Sequence, residues 1–198
     1  MINLNKKDKI AIMFSGGVES VFAYYLILQQ NLLGKCLDLY LLDKYSNPTH
    51  LVEYLYQELK VLWKDDISTF SIMNFDKNVL ENKKIKIALG KLQNYDIVFY
   101  GLNKYPDDTS IRPVHSFNTF SDEWIENLYK QYPNVSLPFI DMSKDVVIQH
   151  YYDNNIADIL PKTLSCGSSN IRVCGKCFNC REREWAYNKL NIEVNLGL

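Results

Sequence analysis

No apolar run in this chain approaches the ~20 residues needed to cross a bilayer as a helix, so no membrane partner is expected. Lys6, Lys7 and Lys9 stand ahead of an apolar run that ends by Phe14, too short for a signal-peptide core. The expectation is a soluble, cytoplasmic protein whose thiols stay reduced. Neither sign of charge is in excess, 22 Lys and Arg standing against 23 Asp and Glu for a net −1. That excludes a global basic field and argues against direct nucleic-acid binding; a small anionic substrate fits at least as well. The histidines, His50, His115 and His150, are scattered and are given no role. No internal repeat, low-complexity tract or linker is present. Two common phosphate loops are missing as well. No Gly-Lys-Ser/Thr follows Gly16-Gly17, which excludes a P-loop, and Glu19-Ser20 fill the place of the third glycine of a dinucleotide fingerprint.

What is present is an ordinary globular balance, 198 residues with 47% hydrophobic and 23% charged. One domain is expected, an α/β part over residues 1–160 and a dependent C-terminal part over 161–198. The organising stretch runs Ile10 to Ser20, where a short β-type run meets two glycines and then a helical pattern from Val18. Strand, glycine turn and helix N-terminus present backbone N–H groups to an anion. Gly16 and Gly17 permit close approach, and Ser15 and Ser20 can add hydroxyl donors. A phosphate or nucleotide site is the functional reading; a plain strand-to-helix turn is the alternative.

Along the chain, Val18 to Gln30 reads as a helix with Val21, Tyr25 and Leu28 on one face, and Gly34 as its stop. Leu37 to Leu42 is a buried strand ending at Asp43, which is either a ligand group at the strand's carboxyl end or a loop-initiating acid. Pro48 opens a helix carrying Leu51, Leu55 and Leu59, Ile67 to Met73 alternates as a strand, and 76–94 is Lys-rich and helical. Asp96 to Tyr100 is a fourth strand closed by Gly101. Residues 102–121 are loop-like, Glu123 to Tyr132 helical, and Ser136 to Ile140 a short strand interrupted by Pro138. Asp141-Met142-Ser143 supplies N-cap chemistry for a helix through Tyr152, and Arg181 to Asn191 is the last helix. This alternation predicts a parallel α/β sheet with right-handed crossovers.

Four of the five cysteines, Cys166, Cys174, Cys177 and Cys180, are separated by seven, two and two residues. Two-residue gaps let thiolates converge on one tetrahedral metal, and four sulfurs with no open position describe a structural zinc. Disulfides are disfavoured by a reducing compartment, and an iron–sulfur cluster by its different bacterial spacing. Cys36 is expected to be a buried small hydrophobe.

Phe14 to Ser20 resembles the pyrophosphate loop Ser-Gly-Gly-x-Asp-Ser, with Glu19 in place of Asp. Thr163-Leu164-Ser165-Cys166, Cys174-Gly175-Lys176-Cys177 and Cys180-Arg181 closely resemble the C-terminal zinc pattern of the 7-cyano-7-deazaguanine synthase family. Gly101 with Tyr105-Pro106-Asp107, and Lys144 after Ile140-Asp141, are similar to further motifs of that family. The resemblance implies a nucleotide α-hydrolase-like, Rossmann-like fold, usually homodimeric, with ATP and magnesium. It implies activation of 7-carboxy-7-deazaguanine as an adenylate, displacement of AMP by ammonia to give the amide, and dehydration of the amide to the nitrile. It implies a cofactor site at Phe14, Ser15, Gly16, Gly17, Val18, Glu19 and Ser20, to which Asp43 is added by its place at the end of its strand. Gly101, Tyr105, Pro106 and Asp107 would meet substrate, and the four cysteines would hold zinc. Glu19 would hold magnesium or orient the loop, and Lys144 would add charge at the phosphates, against the alternative of a surface lysine.

The chain departs from the family at Asn82 to Lys86, where a Pro-Gly-Arg-Asn segment would line the active site, and at Asp108-Thr109, where Cys-Arg is usual. Those changes bear on the substrate pocket. A relative that stops at the amide or activates a deazaguanine for another acceptor, a tRNA-thiolating enzyme, and a non-catalytic nucleotide-binding protein are the competing readings.

Overall fold

The computed structural model describes residues 4, 9–30, 32–42, 49–76, 78–106, 111, 121–164, 166 and 173–193. Asp43 and Asp107 lie outside them. The strands are β1 (Lys9–Met13), β2 (Cys36–Leu42), β3 (Thr69–Met73), β4 (Ile97–Tyr100), β5 (Asn103–Lys104), β6 (Val135–Ser136) and β7 (Phe139–Ser143). The helices are α1 (Val18–Leu28), α2 (Thr49–Leu62), α3 (Glu81–Lys91), α4 (Asp122–Gln131), α5 (Lys144–Asp153) and α6 (Phe178–Lys189), with a 3-10 segment at Ala157–Lys162. Among the described residues no helix is long and apolar enough to cross a membrane.

Five strands form one parallel sheet in the order β3-β2-β1-β4-β6, the Rossmann-like α/β arrangement. Both faces of its centre are covered, which is why β1 is almost wholly apolar instead of alternating. Ile10 and Ile12 pack with Leu37, Leu39 and Phe99 on the face that carries α1, α2, α5 and α6. Ala11, Met13 and Val98 face α3 and α4 through Ala88, Leu89 and Leu128. The strand order reverses between β1 and β4. In such sheets the ligand crevice opens at the carboxyl ends of the strands flanking that reversal, and here those ends are Phe14 to Gly17 and Gly101.

Several boundaries differ from expectation for local reasons. Helix α1 is not one-faced: Val18 through Tyr24 are all buried, with Tyr25 and Leu28 only partly so, because α5 packs against it as well as the sheet. It ends at Leu28, and Gly34, with φ +74°, instead makes the turn into β2. The strand expected around Pro138 is two strands, β6 before the proline and β7 after it, and β7 pairs with β5 in a separate two-stranded sheet. Ser143 occupies the N-cap of α5 without a side-chain capping bond, its hydroxyl pairing with Asp145 instead. Cys36 is exposed at the start of β2, with its thiol toward Asp38, and is not a core residue.

Tyr24 of α1 donates its hydroxyl to buried Asp65, whose other oxygen accepts from the backbone of Ile67 (2.9 Å) and Ser68 (3.0 Å). Burial alone would raise the Asp65 pKa, but the hydrogen bonds from Ser68, Tyr24 and the two amides hold it below the ordinary 3.8. A depressed folded-state pKa contributes stability that is present above the unfolded value and lost as pH falls through the folded one. Asp65→Asn should therefore be less stable at neutral pH and show a shallower loss of stability below about pH 4. Urea denaturation at several pH values checks this, and parallel acid limbs would contradict it.

Candidate functional site

The turn after β1 is built almost wholly from backbone. Phe14 is buried, with its N–H on the Tyr40 carbonyl (2.8 Å), and Val18 is buried at the start of α1, so both side chains belong to the core. What the loop offers a ligand is the amides at the first turn of α1, which lack intrahelical acceptors. Gly16 has φ +74°, a left-handed conformation that glycine adopts without strain. Ser20 donates to the Gly17 carbonyl (3.1 Å) and accepts from the Ser15 amide (3.3 Å), while Ser15 Oγ accepts from the Gly17 amide (3.3 Å). The serines hold the loop's shape in this state.

Gly101, at the end of β4, lies directly against α1: a Cβ there would stand 2.9 Å from Glu19 Cβ and 3.1 Å from the Ser20 nitrogen. Its missing side chain lets the two strand ends of the crevice close together. Beyond it, Tyr105 meets Phe178 of α6 edge-on at 5.0 Å, and Pro106 is buried.

Lys144 is buried, not a surface lysine. Its ammonium pairs with Glu19 and stands 3.4 Å from Glu182 Oε2, all three side chains being under a tenth exposed. The other Glu182 oxygen accepts from Asn103 Nδ2 (2.9 Å). Burial opposes the charge of Lys144, but the carboxylates of Glu182 and Glu19 outweigh it and raise the lysine pKa. Glu182 is pushed up, first by burial and then by Glu19, against the pull of Lys144 and Asn103. Two carboxylates thus share one ammonium beside the loop. Tyr151, its pKa raised far above 10 by burial, stays a neutral donor to the Val18 carbonyl (2.6 Å).

Glu182 and Arg183 escaped the sequence reading because a Glu-Arg-Glu run looks like a solvated helix face. Arg183 is buried and donates to the carbonyls of Thr163 (3.1 Å) and Leu160 and to Tyr187. The same segment returns to the loop, where the Leu164 amide donates to the Gly16 carbonyl (2.7 Å). The retrievable signal was position: Glu182 and Arg183 fall just after Cys180, where α6 must turn a face inward.

The four cysteine sulfurs lie within 4.8 Å of one another. Cys174 and Cys180 are 3.9 Å apart, Cys177 and Cys166 4.0 Å. Four sulfurs about 2.3 Å from a central zinc would be about 3.8 Å apart, so this donor set fits a tetrahedral metal such as zinc. The backbone amides of Cys177 and Lys176 draw the Cys174 thiol down to about 6, whereas burial pushes the Cys180 thiol up to about 12.

Two outcomes follow from this geometry. A β-branched residue at Gly16 would be strained by about 1–2 kcal/mol from the left-handed backbone. Gly16→Val should accordingly lower the urea midpoint; an unchanged midpoint would sink the assigned turn. Cys177→Ser should lose metal and melt lower, as should the wild type under chelation. Full zinc content in the variant by elemental analysis would refute the four-sulfur site.

Comparison with known proteins finds similarity over about half of the chain. Residues 94–191 match the family described as queuosine biosynthesis protein QueC. A 7-cyano-7-deazaguanine synthase of Prochlorococcus marinus subsp. pastoris is 47% identical over 121 residues, 56% of this chain and 52% of the relative. Another from Prochlorococcus marinus is 33% identical over 115 residues, 53% of this chain and 49% of the relative. The chain spans about half the length of these curated relatives. The family match begins before β4 and takes in Gly101, Lys144 and the cysteine knot, while the glycine loop precedes it. By its motifs, its parallel α/β fold and these identities, the chain resembles the 7-cyano-7-deazaguanine synthases, and over residues 94–191 it matches the QueC family.

Proposed function

We propose that this protein is an ATP-dependent carbon–nitrogen ligase of queuosine-type metabolism that converts 7-carboxy-7-deazaguanine, through an adenylate and an amide, to 7-cyano-7-deazaguanine. The observation that carries this is the convergence of a glycine loop, a helix N-terminus and a buried lysine at the reversal of the sheet, in a chain whose second half matches QueC.

The substrate carboxylate attacks the α-phosphorus of ATP and pyrophosphate leaves. Ammonia then attacks the acyl carbon and AMP leaves, giving the amide. The amide oxygen then attacks the α-phosphorus of a second ATP and pyrophosphate leaves; loss of AMP and two protons from the adenylated amide gives the nitrile. The amides at Ser15 to Val18 meet the negative charge that develops on departing pyrophosphate. Lys144 adds a point charge to the same phosphates, and Glu19 is the carboxylate placed to hold magnesium or orient the loop. No side chain need become covalently modified, so positioning and electrostatics are the protein's contribution. On this reading Gly101, Tyr105, Pro106 and Asp107 would meet the deazaguanine, Asp43 would contribute to the nucleotide site, and the cysteines would hold a structural zinc. A cytoplasmic homodimer is the assembly that this reading carries with it.

A variant of this reading, in which the reaction stops at the amide, has its own support. Asn82 to Lys86, where the family's active-site Pro-Gly-Arg-Asn segment would fall, lies in helix α3 instead of a loop. The deciding experiment incubates the protein with ATP, magnesium, ammonium and 7-carboxy-7-deazaguanine and reads the products by mass spectrometry. The nitrile is expected; amide alone would establish the shortened reaction, and absence of ATP consumption would overturn both.

A further inference from the structure

We infer that Glu182 is a positioning residue, which holds the Lys144 ammonium in place for the phosphates of the bound nucleotide; this rests on the pyrophosphate-loop reading. Lys144 is the first residue of α5 and carries its charge on a long flexible stem. Its ammonium lies between a carboxylate on the first turn of α1 and one on α6. The two counter-ions are not equivalent. Glu19 belongs to the glycine loop, its Oε2 only 3.7 Å from where a Cβ on Gly17 would stand. An anion entering the loop repels that carboxylate and competes for the same ammonium. Glu182 is fastened elsewhere, to Asn103 of β5 (2.9 Å), and is 2% exposed. It is the partner that stays when Glu19 is disturbed, and a buried ammonium requires one.

The sign of one substitution separates this role from a bystander's. Removing a negative charge near an anion site tightens anion binding if charge is all that matters. Loss of the group that places the ammonium weakens it. Calorimetric titration with inorganic pyrophosphate and magnesium should show Glu182→Gln binding about tenfold more weakly than wild type. Asn103→Ala, which leaves every charge in place, should bind about threefold more weakly. Both should keep one zinc per chain; Asn103→Ala should melt near the wild-type temperature, and Glu182→Gln lower, because it strips the buried ammonium of one counter-ion. Unchanged or tighter binding by Glu182→Gln overturns the inference. If that variant does not fold, unchanged affinity of Asn103→Ala overturns it. A wild type that binds no pyrophosphate is the different failure, and it removes the loop reading itself.

Discussion

The structure depends on a buried ammonium held by two carboxylates from distant parts of the chain. Lys144, Glu19 and Glu182 come from α5, α1 and α6, and none is more than a tenth exposed. Desolvating such groups costs several kcal/mol per ion, so the arrangement persists only where packing and hydrogen bonds on all sides support it. Those supports are visible: Asn103 on Glu182, Gly101 pressed against Glu19, and Tyr151 on the Val18 carbonyl. Each ties the crevice end of the sheet to the C-terminal helices.

The cysteine knot is therefore more than a clamp on the chain's end. Cys180, Glu182 and Arg183 sit on the same turn of α6, and Arg183 bonds to the segment that reaches Gly16 through Leu164. Whatever fixes the helix N-terminus also fixes the residues that touch the loop. A metal held by four such sulfurs would supply folding free energy, and this cluster lies at the head of the helix whose next residues bond toward the glycine turn.

Much of the fold was legible along the chain. Strands β1 and β4 are apolar runs because both sides of the sheet's centre are covered, and glycine marks where they end. The cysteine spacing pointed to the four sulfurs that the fold brings within 4.8 Å of one another, since the two-residue gaps leave little freedom. What misled was local pattern judged without its neighbours. Pro138 read as an interruption of one strand, although β7 pairs with β5, thirty-five residues earlier, and not with the main sheet. Cys36 read as core because it adjoins Leu37, yet the pleat sends it outward.

The sequence by itself determined the alternation of strands and helices, the glycine turn at the head of α1 and the clustering of the four cysteines, because periodicity, backbone permissiveness and short residue spacing are local properties. Only the tertiary structure decided that Lys144 is buried, that Gly101 serves close packing, and that Glu182 and Arg183 point inward. Those facts depend on which surfaces meet when α1, α5 and α6 pack on one face of the sheet. A charged residue's sequence neighbours do not record whether another helix will cover it.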